Sequence, residues 1–161
     1  MITIRSQAQE AGSQMELQLA TFYLDNIRFG IDLLEIQEIN RQRDLTPVPH
    51  TAQHVRGVIN LRGEVVSVLD LRAMLGLGEF EITSGTRNII LHSGGEPVGV
   101  LVDCLSDVVS LTSGELQALP ANTSGLDARF MVGVHQLETE LVVVLRMEEL
   151  FAPKDGATTS A

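Results

Sequence analysis

One cysteine, four histidines and twenty-one carboxylates are the side chains of this 161-residue chain from which chemistry could be built. Cys104 stands in Val102-Asp103-Cys104-Leu105, an apolar run. A nucleophilic thiol needs a base and an electropositive setting, and the neighbouring Asp103 and Asp107 oppose a thiolate. Cys104 therefore reads as a small buried filler. His50 and His54, four apart, could share one helical face, but a metal needs a third ligand and outer support, and no Asp or Glu completes a metalloprotease-like pattern. They read as exposed loop histidines. Glu35 with Glu38, or Asp103 with Asp107, could form acid–base pairs, yet no nucleophile accompanies them. Gly94-Gly95 fits neither a dinucleotide-binding nor a P-loop pattern and reads as a hairpin turn. No catalytic residue, cofactor site or metal site is expected, so the chain reads as no enzyme.

The bulk properties narrow the partner. Acidic residues outnumber Lys and Arg by 21 to 11, leaving a formal charge of −10, and neither half of the chain is basic. Binding to a phosphate backbone needs clustered positive charge, so nucleic acid is not an expected partner. A single cysteine excludes an internal disulfide and any multi-cysteine cluster. Residues 1–16 lack the apolar core of a signal peptide, and runs such as Leu141–Leu145 are far shorter than the roughly 20 residues that span a bilayer. The expectation is a cytoplasmic chain without membrane insertion, and Asn122-Thr123-Ser124 is then only a polar loop.

Short strands must do the positioning. Apolar residues make up 44% and aromatics 4%, so the core must be aliphatic. Leu17–Leu24, a turn at Asp25-Asn26 and the alternating Ile27–Ile31 predict a hairpin. A single turn at 32–35 and a strand over 36–43 follow. Thr46-Pro47-Val48-Pro49 must be loop, since each proline lacks a donor and restricts its predecessor. Val58–Leu61 and Val65–Leu69 flank Arg62-Gly63-Glu64 as a second hairpin. Asp70 can cap a short helix that carries Leu71, Met74 and Leu75, with Gly76 past its end. Beyond a connector at 76–86, strands are expected at Asn88–Leu91, Val98–Val102 and Val108–Leu111. A capping box at Thr112-x-x-Glu115 predicts a helix over 113–118. A last hairpin, Val132–Leu145, leads to a helix at 146–151. Residues 1–16 and 152–161 read as flexible tails around one unit at 17–151.

The second half repeats the first. Gly57–Leu75 laid on Gly133–Phe151, an offset of 76, matches seven of nineteen positions. At an offset of 69, Gly30 falls on Gly99 and Ile39 on Val108. This reads as an internal duplication of a hairpin–strand–hairpin–helix unit. Each unit has about five strands and favours closure into a small barrel, which removes exposed edges. The fold class is all-β, two five-stranded barrels side by side, split at about 17–80 and 81–151; a single β-sandwich is the alternative. Barrels this small leave little room for a ligand, so surplus apolar positions must face the junction or a partner.

Against this background Gly57–Arg72 (GVINLRGEVVSVLDLR) closely resembles the signature of the CheW family of bacterial chemotaxis coupling proteins. Gly30–Ile39 upstream, and Val98–Asp103 with Ser106-Asp107-Val108 downstream, resemble it too, collinearly over about 17–151. The resemblance implies two intertwined SH3-like barrels and no catalytic activity. It implies an adaptor between the cytoplasmic tip of methyl-accepting chemoreceptors and the regulatory domain of the histidine kinase CheA, at receptor arrays on the inner face of the membrane. An adaptor of a pilus-type or polar-localisation pathway that binds only one partner is the alternative. A monomer is expected in isolation, because like charge opposes self-association.

Carried over by matching position, Ile36, Glu38 and Val108 fall on strands beside the receptor groove, and Asn60, Arg62 and Gly63 fall in the family's NLRG motif. These six are the expected partner-binding residues. Gly57 and Gly99 match family glycines whose reading is either contact or close backbone packing. Arg87 departs from the pattern, where an apolar residue would sit more comfortably. Ile36 and Glu38, alternating with Gln37, are expected to share one strand face. Glu38 and Arg62 are expected to pair. Their counterparts in the second half, Asp107 and Glu138, cannot.

Overall fold

A computed structural model describes residues 15–41, 44–49, 51, 54–78, 81–120 and 128–151. The strands are β1 (Glu16–Leu24), β2 (Ile27–Asp32), β3 (Ile36–Asn40), β4 (Val55–Leu61), β5 (Glu64–Asp70), β6 (Arg87–Ser93), β7 (Glu96–Val102), β8 (Cys104–Thr112), β9 (Met131–Gln136) and β10 (Leu141–Leu145). Two short helices, α1 (Leu71–Met74) and α2 (Met147–Phe151), follow β5 and β10. Asp70 caps α1 as expected, its carboxylate accepting the Ala73 N–H at 3.1 Å. The helix expected over 113–118 is only a 3-10 turn, Ser113–Glu115, although Glu115 does accept the Thr112 N–H at 2.7 Å. Met15, which falls in the expected tail, is buried, and its carbonyl accepts the Ser113 N–H at 2.7 Å. The rest of both expected tails, with His50 and Asn122-Thr123-Ser124, lies outside the described residues.

The ten strands form two five-stranded sheets, ordered β8-β1-β2-β10-β9 and β3-β6-β7-β5-β4. Replacing every strand of the first by its repeat counterpart, five later or earlier, generates the second. The duplication is therefore real in three dimensions, but the contiguous split at residue 80 is not. Each sheet takes two strands from one repeat and three from the other. The physical reason is the short connection between β2 and β3: Leu33–Glu35 form one 3-10 turn, capped by Asp32 accepting the Leu34 N–H at 3.0 Å. That turn carries the chain out of one sheet and into the next. Only Asp103 separates β7 from β8 at the matching crossover.

Each sheet then curls on itself. Thr46 pairs with Val58 on the outer side of β4, and Gln117 pairs with Val134 on the outer side of β9. Both segments arrive from the far edge of their own sheet, so these bridges close two small SH3-like barrels. Gly57 and Gly133 permit the approach. A Cβ at Gly57 would lie 2.5 Å from the Thr46 carbonyl oxygen, and one at Gly133 would lie 2.7 Å from that of Gln117.

Three apolar clusters fill the molecule. Leu17, Leu19, Leu111, Val142 and Val144 fill the first barrel, which contains β1. Ile59, Val66, Val68, Ile90 and Leu101 fill the second. The largest cluster lies between the barrels, where Phe22, Leu24, Phe29 and Ile31 of the first meet Ile89, Leu91, Val100 and Val102 of the second. Leu71 and Leu75 from the α1 region and Met147 of α2 pack into it. The surplus of apolar residues thus forms the junction. Burying each such side chain is worth about 1.5–3 kcal/mol, so the barrels hold each other in place.

Candidate functional site

Of the six expected site residues, Glu38, Asn60, Arg62 and Gly63 gather around the β4–β5 hairpin and the edge strand β3, while Val108 lies on β8 of the other sheet and Ile36 on the other face of β3. Leu61 pairs with Glu64, leaving Arg62 and Gly63 as a two-residue turn with φ of 53° and 89°. Both residues at positive φ define a type I′ turn, whose twist matches the flanking strands. Glycine suits the second position. Arginine at the first is held by Asn60, whose side-chain oxygen accepts the Gly63 N–H at 2.7 Å. Asn60 and Gly63 therefore build the turn, and Arg62 is what the turn presents.

Arg62 reaches Glu38 on β3. Its Nη1 donates to Oε2 at 3.4 Å, and its Nη2 donates to Oε1. Asn40 donates to the same carboxylate at 3.2 Å. The Arg62 hydrogen bond, then that of Asn40, holds the Glu38 carboxyl below the usual carboxylate range, and the Glu38 carboxylate keeps Arg62 charged. The Arg62 side chain is 66% exposed and that of Glu38 26%, so the pair is a surface feature that sets shape and charge. The expected pairing is present.

Ile36 and Glu38 do not share a face. Ile36 pairs with Leu91, but Glu38 pairs with Ile90, its neighbour, because a β-bulge intervenes. Ile36 lies on the junction side, half-buried against the large central cluster, while Glu38 lies on the barrel side at the mouth. Replacing Ile36 by a charge therefore costs packing as well as any contact. Val108 pairs with Ala20 on the junction side of β8 and is 53% exposed. Beside Ile36, a recess of about 350 Å³ is lined by Leu34, Glu35, Ile36, Gln37 and His92, where His92 Nε2 meets the Gln37 side-chain oxygen. Sequence reading missed Leu34, Gln37 and His92, whose meeting depends on the pairing of β3 with β6.

The remaining expectations resolve locally. Gly57 and Gly99 both serve close packing, and a Cβ at Gly99 would strike the Asn88 side chain at 2.5 Å. Arg87 donates to the carbonyls of Ser84 at 3.0 Å and Thr86 at 2.8 Å, tying down the loop that enters β6. Cys104 is half-buried at the start of β8 and not a buried filler, because the crossover at Asp103 places it at a strand end. Among the described residues no three His, Cys, Asp or Glu side chains converge as metal ligands.

The counterpart hairpin, β9–β10, is anchored differently. Arg28, 8% exposed, donates to Glu140 at 2.9 Å and to Thr21 Oγ1 at 3.2 and 3.0 Å. The Tyr23 hydroxyl lies 2.9 Å from each Glu140 oxygen and donates its one proton to that carboxylate. That hydrogen bond, with burial and the Glu140 charge, pushes the Tyr23 phenol above its ordinary value. Sequence reading missed this cluster: its members come from β1, β2 and the β9–β10 connection.

Comparisons with known proteins agree with this architecture. The CheW-like domain family model matches residues 18–154. The chain is 31% identical over 147 residues to the chemotaxis protein CheW of Klebsiella aerogenes, covering 91% of this chain and 89% of that protein. It is 28% identical over 144 residues to the chemotaxis protein CheW of Treponema pallidum, covering 87% and 85%. In fold it is similar to the crystal structure of the scaffolding protein TtCheW from Thermoanaerobacter tengcongensis, with a TM-score of 0.79 at 24% identity over 88% of this chain and 92% of that one. With a family model spanning nearly all of the described barrels, the chain belongs to the CheW-like family.

Proposed function

We propose that this chain, by family a non-catalytic chemotaxis coupling adaptor, holds the cytoplasmic tip of a methyl-accepting receptor against the regulatory domain of the histidine kinase CheA. Ile36, Glu38, Asn60, Arg62, Gly63 and Val108 form or shape the contact surface. The observation that supports this is the exposed ion pair that pins the β4–β5 turn to edge strand β3. A rigid surface turn beside edge strand β3 suits docking, because little order remains to be lost on binding. Among the described residues no helix is long and apolar enough to cross a membrane, which fits an adaptor recruited to arrays at the inner face by its partners. The chain is a monomer until they are present.

Capture experiments with a purified receptor signalling fragment and a CheA regulatory domain test this. Both are expected to bind; capture of only one identifies an adaptor of another pathway. Glu38→Arg and Arg62→Glu are each expected to weaken receptor-dependent kinase activation, with partial recovery in the double swap. Strictly additive losses would show that the two residues act separately.

A further inference from the structure

The two barrels differ at an equivalent β-bulge. In the second, Val55 pairs with Leu69 and Gly57 with Val68, so Arg56 is the bulged residue. Its guanidinium lies 3.8 Å from the Asp70 carboxylate. In the first, Met131 pairs with Leu145 and Gly133 with Val144, so Val132 bulges at the same place, and Arg146 stands where Asp70 stands. A long side chain with a cationic end is thus replaced by a short apolar one. Beside Val132 lies a cavity of about 220 Å³.

Leu19, Leu116, Val132 and Val144 give this cavity an aliphatic wall that continues the interior of the first barrel, and Met147 of α2 lines it from the junction side. Its charged lining residues are Asp32, Glu35 and Glu148, with Arg146 as the one cation among them. Aliphatic walls lose their packing contacts over any space left open, and an apolar cavity of about 150 Å³ already takes a benzene-sized molecule. The occupant that fits has a branched aliphatic side chain with a positive charge next to it.

The described chain begins beside this wall. The Met15 carbonyl accepts the Ser113 N–H, and Leu116, on the wall itself, closes the next turn by donating to the Ser113 carbonyl at 3.2 Å. The preceding residues read Met1-Ile2-Thr3-Ile4-Arg5, and residues 6–14 then bring no further large apolar side chain. Ile4 precedes Met15 by eleven residues. Extended chain of that length spans up to about 36 Å, so reach is not limiting. We propose that residues 2–5 close this end of the first barrel, Ile4 entering the cavity and Arg5 meeting the carboxylates of Asp32, Glu35 and Glu148. The segment supplies from a distance what Arg56 supplies locally in the second barrel, and it seals this end against side chains from a partner.

The test is thiol protection in the full chain, in a Cys104→Ser background that leaves one introduced cysteine to report. The thiol of Ile4→Cys is expected to react with a soluble thiol reagent about tenfold more slowly than that of Gln9→Cys on the same segment, and the difference should vanish in urea. Val132→Arg, which gives the first barrel the side chain that the second has at its bulge, is expected to bring the two rates within about twofold of each other. Arg5→Glu should do the same while Arg5→Lys keeps the protection, which leaves the test decisive even where Val132→Arg fails to fold. Equal rates at positions 4 and 9 without these further changes would overturn the proposal. Protection at position 4 that survives both Val132→Arg and Arg5→Glu would place the segment elsewhere and overturn it too. Protection that develops only on adding a receptor signalling fragment or a CheA regulatory domain would give the cavity to a partner instead.

Discussion

Tyr23 is the one tyrosine of a chain that has no tryptophan, so its environment can be read by itself. Its phenol donates to Glu140, which also receives Arg28, whose guanidinium lies 5.9 Å from the Tyr23 ring centre. Ionising the phenol would break the donation and set two anions side by side. The protonated form is favoured in the fold, so this contribution to stability is present below the ordinary phenol value of about 10 and is lost as pH rises through the higher folded value. Absorbance near the phenolate band, followed against pH, should show ionisation later than in the unfolded chain, and Glu140→Gln should move it earlier. An unchanged titration in Glu140→Gln would place the cause elsewhere. Glu38 has the opposite sign. Its carboxyl is held low, so its contribution is present above the ordinary glutamate range and is lost as pH falls through the folded value.

The strands owe their closure to backbone approach, and the glycines show where. At Gly57, φ is 148° and the Thr46 carbonyl blocks any Cβ; at Gly133 the Gln117 carbonyl does the same. At Gly63, φ is 89° but space is open. Three alanine substitutions should therefore separate the two costs. Gly63→Ala should destabilise by about 1 kcal/mol through strain alone. Gly133→Ala should cost about 1–3 kcal/mol through overpacking, and Gly57→Ala more, since both effects add there. Urea denaturation gives the order. A Gly57→Ala protein as stable as wild type would mean that the segment at Thr46 does not press on β4.

At the scale of the molecule, neither repeat owns a barrel. Fragment 1–80 supplies β1 and β2 to one sheet and β3, β4 and β5 to the other, and the remainder supplies what is missing. Alone, either fragment would expose its share of the central cluster, a larger apolar surface than either barrel interior. Each fragment by itself is expected to lack cooperative unfolding. An equimolar mixture should recover the circular dichroism spectrum and a single thermal transition. Cooperative unfolding of fragment 1–80 alone would show that a repeat can close a barrel with its own first hairpin.

What could be read from residues alone was local or repeated. Alternation, Asp25 and Gly63 at turns and Asp70 before α1 act within a few residues, so strands, hairpins and the helix appear where expected. The duplication was legible because equivalent positions solve the same local problem. The Glu38–Arg62 pair was legible because its counterparts carry like charge. The bulge that separates Ile36 from Glu38 was not, since an extra residue in a ladder is defined by its partner strand. Nor was the exchange of strands between repeats, nor the meeting of Thr21, Tyr23, Arg28 and Glu140. A strand's period and a turn's φ are properties of the nearby backbone. Which strand it pairs with is decided by the arrangement that buries the fifteen side chains between the barrels, and those come from both halves of the chain.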